Sequence, residues 1–394
     1  MVTGKEIREA VLKNKDSMVD FLVEVVKTPS VTGDEAAIGK VIAGAMARMG
    51  IDYEVIEPEP GRPDIVGRWD GDPGPKFVFN GHMDVVPPGP VEDWIRDPWS
   101  GDVVDGCIHG RGSVDMKAGL CCSIFSVYIL KKLGFKPKGS VVLTCVSDEQ
   151  TGSRLGTQYL IEKGYLKGDF GLNCEPTNLR VEIAHKGILR SRVTVRGKAI
   201  HGSRPWLGID AIEKTNKAIT ALYGLRENFE ERKHRLLGDP TLFVGTIQGG
   251  ACPNMIPSRC DFTIDRRIVP GETHDGAERE IFGALEDLRR KDKDFQYSYE
   301  ITNRRPILDV PASSLIVKTL TSAWEELNGV PPVVGGKDAG TDASLVTSLT
   351  GIDMPVFGPG DYLKYSLGPN ENVPIEDVLK AVEVYALTVS KLLS

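Results

Sequence analysis

Phe77-Val78-Phe79-Asn80-Gly81-His82-Met83-Asp84 sets the architecture: a short apolar run, read as a strand, ends in a glycine and an H-x-D unit. Val85-Val86-Pro87-Pro88-Gly89 then turns the chain out of the sheet. The pattern recurs downstream. The apolar run Val141 to Val146 delivers Ser147-Asp148-Glu149-Gln150, and Leu172-Asn173 leads into Cys174-Glu175-Pro176. Between them, Gly110-Arg111-Gly112-Ser113-Val114-Asp115-Met116-Lys117 precedes a buried helix predicted over Cys121 to Leu133. Strands alternating with helices build an α/β fold on a largely parallel central sheet covered on both faces. Ligands in such sheets collect beyond the carboxyl ends of the strands.

Working outward, helical periodicity predicts one opening helix from Ile7 to Val26 and a second from about Asp34 to Met49, capped by Thr32 or Asp34 and ended by Gly50. Tyr53-Glu54-Val55-Ile56 and Ile65-Val66-Gly67-Arg68 read as further strands. Near residue 180 the style changes. Arg180 to Lys198 and Leu242 to Ile268 alternate as strands, with helices near Asp210 to Arg232 and Asp275 to Arg290 and a strand at Phe295 to Ile301. This is a β-α-β-β-α-β-like α+β block over 181–297, inserted into a domain made of 1–180 and 298–394. Helices at Ser313 to Asn328 and Ile375 to Leu393, with a strand at Pro355-Val356-Phe357, complete the first domain.

The bulk composition excludes several classes. A net charge of −7 and a pI near 5.6 argue against nucleic acid and anionic membrane as partners. No run approaches the roughly 18–20 apolar residues of a membrane span. The polar start Met1-Val2-Thr3-Gly4-Lys5-Glu6 predicts no signal peptide and a cytoplasmic protein. The seven scattered cysteines form no C-x-x-C pair and read as reduced core residues; a thiolate ligand from Cys145 or Cys174 is the alternative.

One imidazole and several carboxylates at strand ends are the ligand chemistry of a zinc-type hydrolytic centre. Taken singly, each motif has a plainer meaning. H-x-D suits a surface histidine beside an acid, and Asp115 suits a helix cap. Four successive strand ends bearing His or acid are not explained that way. In H-x-D, Asp84 would orient the His82 imidazole and fix its tautomer.

These motifs, in this order and spacing, resemble the M20 family of metallo-aminopeptidases, carboxypeptidases and deacylases over nearly the whole chain. The likeness is to the acetylornithine deacetylase, succinyl-diaminopimelate desuccinylase and glutamate carboxypeptidase group. The resemblance implies that His82 and Glu175 bind one metal, that Asp115 bridges two, and that Glu149 is the general base. It implies that the inserted block is a lid and dimerisation domain of a homodimer, and that His201, in Ala199-Ile200-His201-Gly202-Ser203, stabilises the oxyanion in the partner's site. It also implies substrate contacts from Asn254, from Arg267 to a substrate carboxylate, and from the backbone of Gly340-Thr341 to the same group.

The chain departs from the family at two positions. The second-metal glutamate after Asp148-Glu149 is Gln150, and the second-metal histidine four residues before Glu371 is Leu367, or Ser366 with the register shifted by one. Both changes strike one metal position. A neutral amide is a poor substitute for carboxylate on a divalent ion. The expectation is one divalent ion per chain on His82, Asp115 and Glu175, zinc first, with manganese and cobalt open. The reaction expected is cleavage of an amide C–N bond in a small carboxylate-bearing substrate such as an N-acyl amino acid or dipeptide. The alternatives are a single-metal aminohydrolase acting on a non-peptide C–N bond, or an inactive ligand-binding relative.

Overall fold

The computed structural model describes residues 2–365 and 367–394, so Ser366 lies outside the described residues. Two compact units are present. The first runs to Ala184 and resumes over Asp309–Lys337 and Thr341–Ser394; the second is His185–Leu308 with Asp338–Gly340.

The first unit is built on strands β1 (Asp52–Glu59), β2 (Arg62–Asp70), β3 (Asp72–His82), β4 (Lys138–Val146) and β5 (Phe170–Asn173), in the order β1-β2-β4-β3-β5. The α/β class is as expected. β3 pairs in parallel with both β4 and β5, while β1 and β2 add antiparallel strands at one side. The register matters most for function. His82 pairs with Val146 and Asn80 with Asn173, so His82, the Asp148-Glu149 turn and Cys174-Glu175 all leave the sheet at the same level.

The predicted opening helix is two helices, α1 (Gly4–Lys13) and α2 (Lys15–Lys27). Asn14 breaks it: its backbone leaves the helical region and its side-chain amide donates to the Ala10 carbonyl at 2.8 Å. Helix α3 (Ala36–Arg48) has no side-chain cap, and the Thr32 hydroxyl expected there donates instead to Asp84 Oδ2 at 2.7 Å. Helix α4 (Lys117–Lys132) starts nearer Asp115 than predicted and packs so tightly that a Cβ on Gly119 would lie 1.8 Å from the Cys174 carbonyl oxygen. The C-terminal helix Ile375–Leu392 closes the core, with Tyr385 packed on Phe79 and donating its hydroxyl to the Phe357 carbonyl at 2.6 Å.

The second unit is an antiparallel sheet of β6 (Gly187–Arg196), β7 (Thr241–Gly249), β8 (Arg259–Ile268) and β9 (Gln296–Arg305), ordered β7-β8-β6-β9. Helices α5 (Ala211–Gly224) and α6 (His274–Lys291) contribute Ala218, Leu222, Ile281 and Leu285 to a core with Leu189, Val193, Phe262 and Phe295. The insert was expected over 181–297, but it begins at His185 and its main segment ends at Leu308. β9 stays hydrogen-bonded to β6 as far as Arg305, opposite Ile188, so the chain cannot return earlier. No helix among the described residues is long and apolar enough to cross a membrane.

Candidate metal centre

The level strand ends bring His82 and Glu175 together, and the loop before α4 adds Asp115. One ligand atom from each lies within 4.8 Å of the other two, and all three residues are buried; no other such group occurs among the described residues. His82 Nε2 is 3.0 Å from Asp115 Oδ1, 3.3 Å from Glu175 Oε1 and 3.9 Å from Glu149 Oε2. The donor set fits a divalent cation. Two buried carboxylates facing one imidazole repel each other until a cation, or a proton, lies between them. The protonation equilibria show the conflict. Burial and the neighbouring Asp115 charge push Glu175 up to about 7 against the pull of His82. Burial pulls the His82 imidazole down, yet its hydrogen bonds to Asp115 and Glu175 and the Glu149 charge hold it well above its usual value.

The supports of the triad differ from the reading of H-x-D in one respect. His82 Nδ1 donates to the backbone carbonyl of Asp84 at 2.8 Å, which fixes the tautomer and leaves Nε2 facing the carboxylates. The Asp84 carboxylate stands farther off, 3.6 Å from Nδ1. Its oxygens take the N–H of Glu149 at 3.1 Å, the N–H of Gln150 at 3.2 Å and the Thr32 hydroxyl. Asp84 therefore grips the Glu149 turn. That turn is also strained, because Asp148 sits at φ 67°, where a side chain is disfavoured. Arg62 Nη2 at 3.3 Å and the Leu155 N–H at 3.1 Å hold Asp148 there through its carboxylate.

The Asp115 loop is held from a distant part of the chain. Glu371 accepts from Arg111 Nη1 at 2.7 Å and from the N–H groups of Gly112 at 2.9 Å, Val114 at 2.7 Å and Asp115 at 3.0 Å. At the two positions where the sequence departs from the family pattern, Gln150 Nε2 donates to Asp115 Oδ1 at 3.4 Å, and Leu367 is 46% exposed, its carbonyl accepting from Arg111 Nη2 at 3.1 Å. The amide N–H thus meets the Asp115 oxygen that also faces His82.

His201, Asn254, Arg267 and Gly340 belong to the second unit, and Thr341 to the first. His201 and Asn254 are brought together, since His201 bridges Met255 and the Gly202 N–H donates to the Asn254 carbonyl at 2.8 Å. Arg267 is engaged with Asp265, by Nε at 2.6 Å and Nη2 at 3.3 Å, and Arg190 shares that carboxylate at 2.7 Å. Gly340 backs onto Arg305, whose Cδ would lie 3.1 Å from an added Cβ. Thr341 is buried at the start of the helix Ala343–Thr350, its Oγ1 accepting from the Ala343 N–H at 3.2 Å. Cys145 and Cys174 are buried and stand outside the triad; burial pushes both thiols far above their ordinary range.

Sequence reading missed the bracing role of Glu371 and the buried Lys337, whose Nζ lies 4.0 Å from Glu175 Oε2. Glu371 lies in a segment already compared with the family pattern, so its position was accessible. Lys337, beside two glycines, carried no signal.

The model of peptidase family M20/M25/M40 matches residues 78–391. The chain is 29% identical over 394 residues to the uncharacterized protein YgeY of Escherichia coli, covering 95% of this chain and 94% of that protein. It is 27% identical over 378 residues to a probable succinyl-diaminopimelate desuccinylase of Staphylococcus aureus, covering 88% and 90%. Its fold matches the M20 family metallo-carboxypeptidase Sso-CP2 from Sulfolobus solfataricus with a TM-score of 0.82 at 20% identity, over 95% of this chain and 98% of that one. With a buried His–Asp–Glu cluster at the level ends of its strands, the chain belongs to peptidase family M20/M25/M40 and is a metallohydrolase.

Proposed function

We propose that this metallohydrolase cleaves the amide C–N bond of a small carboxylate-bearing substrate, such as an N-acyl amino acid or a dipeptide, with one divalent ion per chain. One observation carries the reading: Glu149 stands outside the ligand triad yet brings Oε2 to 3.9 Å from His82 Nε2. A carboxylate placed beside a metal position, but not spent on it, is a base. The names of the Staphylococcus and Sulfolobus relatives, a desuccinylase and a carboxypeptidase, are in keeping with it.

His82 Nε2, Asp115 and Glu175 would hold the ion, zinc first, with manganese or cobalt served by the same oxygen-rich set. When bound, such an ion polarises a carbonyl and makes water more acidic. Glu149 takes the proton of the attacking water and returns it to the leaving nitrogen. Asp84 keeps Glu149 aimed by holding its backbone N–H at 3.1 Å. On the strength of the family alone, Asn254, Arg267 and the Gly340-Thr341 backbone are assigned to the substrate, the last two to its carboxylate. His201 of a second copy is assigned to the developing oxyanion. Gln150 and Leu367 remove a carboxylate and an imidazole from the second-metal position, and the Gln150 amide satisfies Asp115 there instead.

Metal content per chain after dialysis, combined with turnover of a panel of N-acyl amino acids and dipeptides, tests the reading. The expected outcome is one tightly held ion, turnover of at least one amide, and a loss of about 10²–10⁴-fold in rate for Glu149→Gln with the ion retained. Two equally tight ions in the wild-type chain, or no amide turned over by the metal-replete protein, would refute it.

A further inference from the structure

Lys337 ends the strand Val334–Lys337 and is only 5% exposed. Its ammonium donates to the Pro176 carbonyl at 2.7 Å, lies 3.8 Å from the centre of the Tyr362 ring and stands 4.0 Å from Glu175 Oε2. Glu175 is thereby shared between two partners: Oε1 faces His82 and Oε2 faces Lys337. Burial pulls the Lys337 ammonium below its ordinary pKa, and the charges of Glu175, Asp115, Glu182 and Glu149 oppose that pull; Glu182 itself has Arg180 at 3.1 Å.

Charge in a dry pocket must nearly cancel, because an uncompensated buried ion is costly. Asp115, Glu149 and Glu175 bring three carboxylates to His82 Nε2. Asp84 stands behind the imidazole with its own hydrogen-bond donors, Thr32 and two backbone N–H groups. One divalent ion cancels two of the three facing charges, and the Lys337 ammonium cancels the third. A second divalent ion would leave the pocket with an excess of positive charge.

We propose that Lys337 is the fixed cation that limits this centre to a single divalent ion. The claim rests on the single-ion reading above but is separate from the loss of ligands at Gln150 and Leu367. Restoring them adds a fourth carboxylate at position 150, so beside Lys337 a second divalent ion still leaves one positive charge in excess, and without Lys337 it leaves none; a second ion is therefore expected only when Lys337 is removed.

The test is manganese and zinc content per chain, by elemental analysis after dialysis, for the wild type and three variants. These are Gln150→Glu/Leu367→His, and the same pair with Lys337→Met or with Lys337→Arg. The expected result is one ion in the wild type, in the pair and in the Arg-bearing triple variant, and two in the Met-bearing one. Two ions in the pair with Lys337 intact, against one in the wild type, would overturn this inference and leave the single-ion reading standing. One ion in a folded Met-bearing triple variant also overturns it. Two ions in the wild type would sink both. If the Met-bearing triple variant shows no cooperative melt, Lys337→Met alone decides. Removing a repelling charge should slow loss of the single ion to a chelator about tenfold. Faster loss would mark Lys337 as merely structural and overturn the proposal.

Discussion

Glu371→Gln probes the support of the Asp115 loop with almost no change of shape. The carboxylate receives four hydrogen bonds, two on each oxygen, from Arg111, Gly112, Val114 and Asp115. Glutamine has one acceptor oxygen. Its amide NH₂ must point either at Arg111 and Gly112 or at Val114 and Asp115, and in either pose it opposes N–H groups. Either pose strips the counter-charge from the Arg111 guanidinium, whose side chain is 2% exposed, and the first also sets NH₂ against it. Hydrogen bonds to charged groups contribute about 1.5–3 kcal/mol each, and removing one partner of a buried ion pair costs about 3–5 kcal/mol. These overlap, so the loss expected is about 3–5 kcal/mol, or a fall in Tm of roughly 3–10 °C at about 1–2 °C per kcal/mol for a chain of this size. Asp115 sits on the loosened loop, so affinity for the divalent ion should fall about 10–100-fold. Thermal melts of metal-free protein and chelator competition measure the two effects. A metal-free variant melting within about 2 °C of the wild type, with unchanged ion affinity, would show that Glu371 does not hold the loop.

Three further outcomes are expected. Gly119→Ala sets a methyl 1.8 Å from the Cys174 carbonyl, next to Glu175, and should cost at least about 1–3 kcal/mol with partial loss of ion binding; a melt within error of the wild type contradicts the packing. Asp84→Asn should lower kcat about 10–100-fold while ion affinity falls less, because the His82 ring bonds the Asp84 carbonyl and the carboxylate bonds the Glu149 turn; equal losses in both would restore the carboxylate as the imidazole's orienter. In the metal-free protein His82 is held well above its usual pKa and Glu175 is pushed up to about 7, but ligation needs a neutral imidazole and an ionised carboxylate. Ion affinity should therefore rise with pH through neutrality and uptake at pH 7 should release protons, seen as buffer-dependent heats in calorimetry; heats that do not vary with the buffer argue otherwise.

Three residues of the candidate centre were legible in the sequence because each sits where an apolar strand runs out. His82 after Phe77-Val78-Phe79, Glu149 after Val141 to Val146, and Glu175 after Leu172-Asn173 share a signal of local pattern plus polarity change. The split at Asn14 was not legible, since apolar spacing continues across it and only the side-chain bond to Ala10 interrupts the helix. Thr32 shows the limit of capping rules: its hydroxyl could serve α3 or Asp84, and tertiary structure chose Asp84. The far bound of the insert differs from the expected 297 because the strand read over Phe295 to Ile301 runs on to Arg305, and only its pairing with β6 shows how far it goes. Lys337 was invisible for a related reason. Its partners Glu175 and Pro176 are some 160 residues away, and no local pattern distinguishes a buried lysine from a solvated one.

The anchoring of Asp115 by Glu371 has a consequence for biosynthesis. Asp115 is made 256 residues before the carboxylate that fixes its backbone. At about 5–20 residues per second, roughly 13–50 s of translation separate the two. Until the later segment emerges from the ribosome, the nascent ligand loop has no clasp, so by the loss expected of Glu371→Gln a growing chain would hold the ion about 10–100-fold more weakly than the finished one.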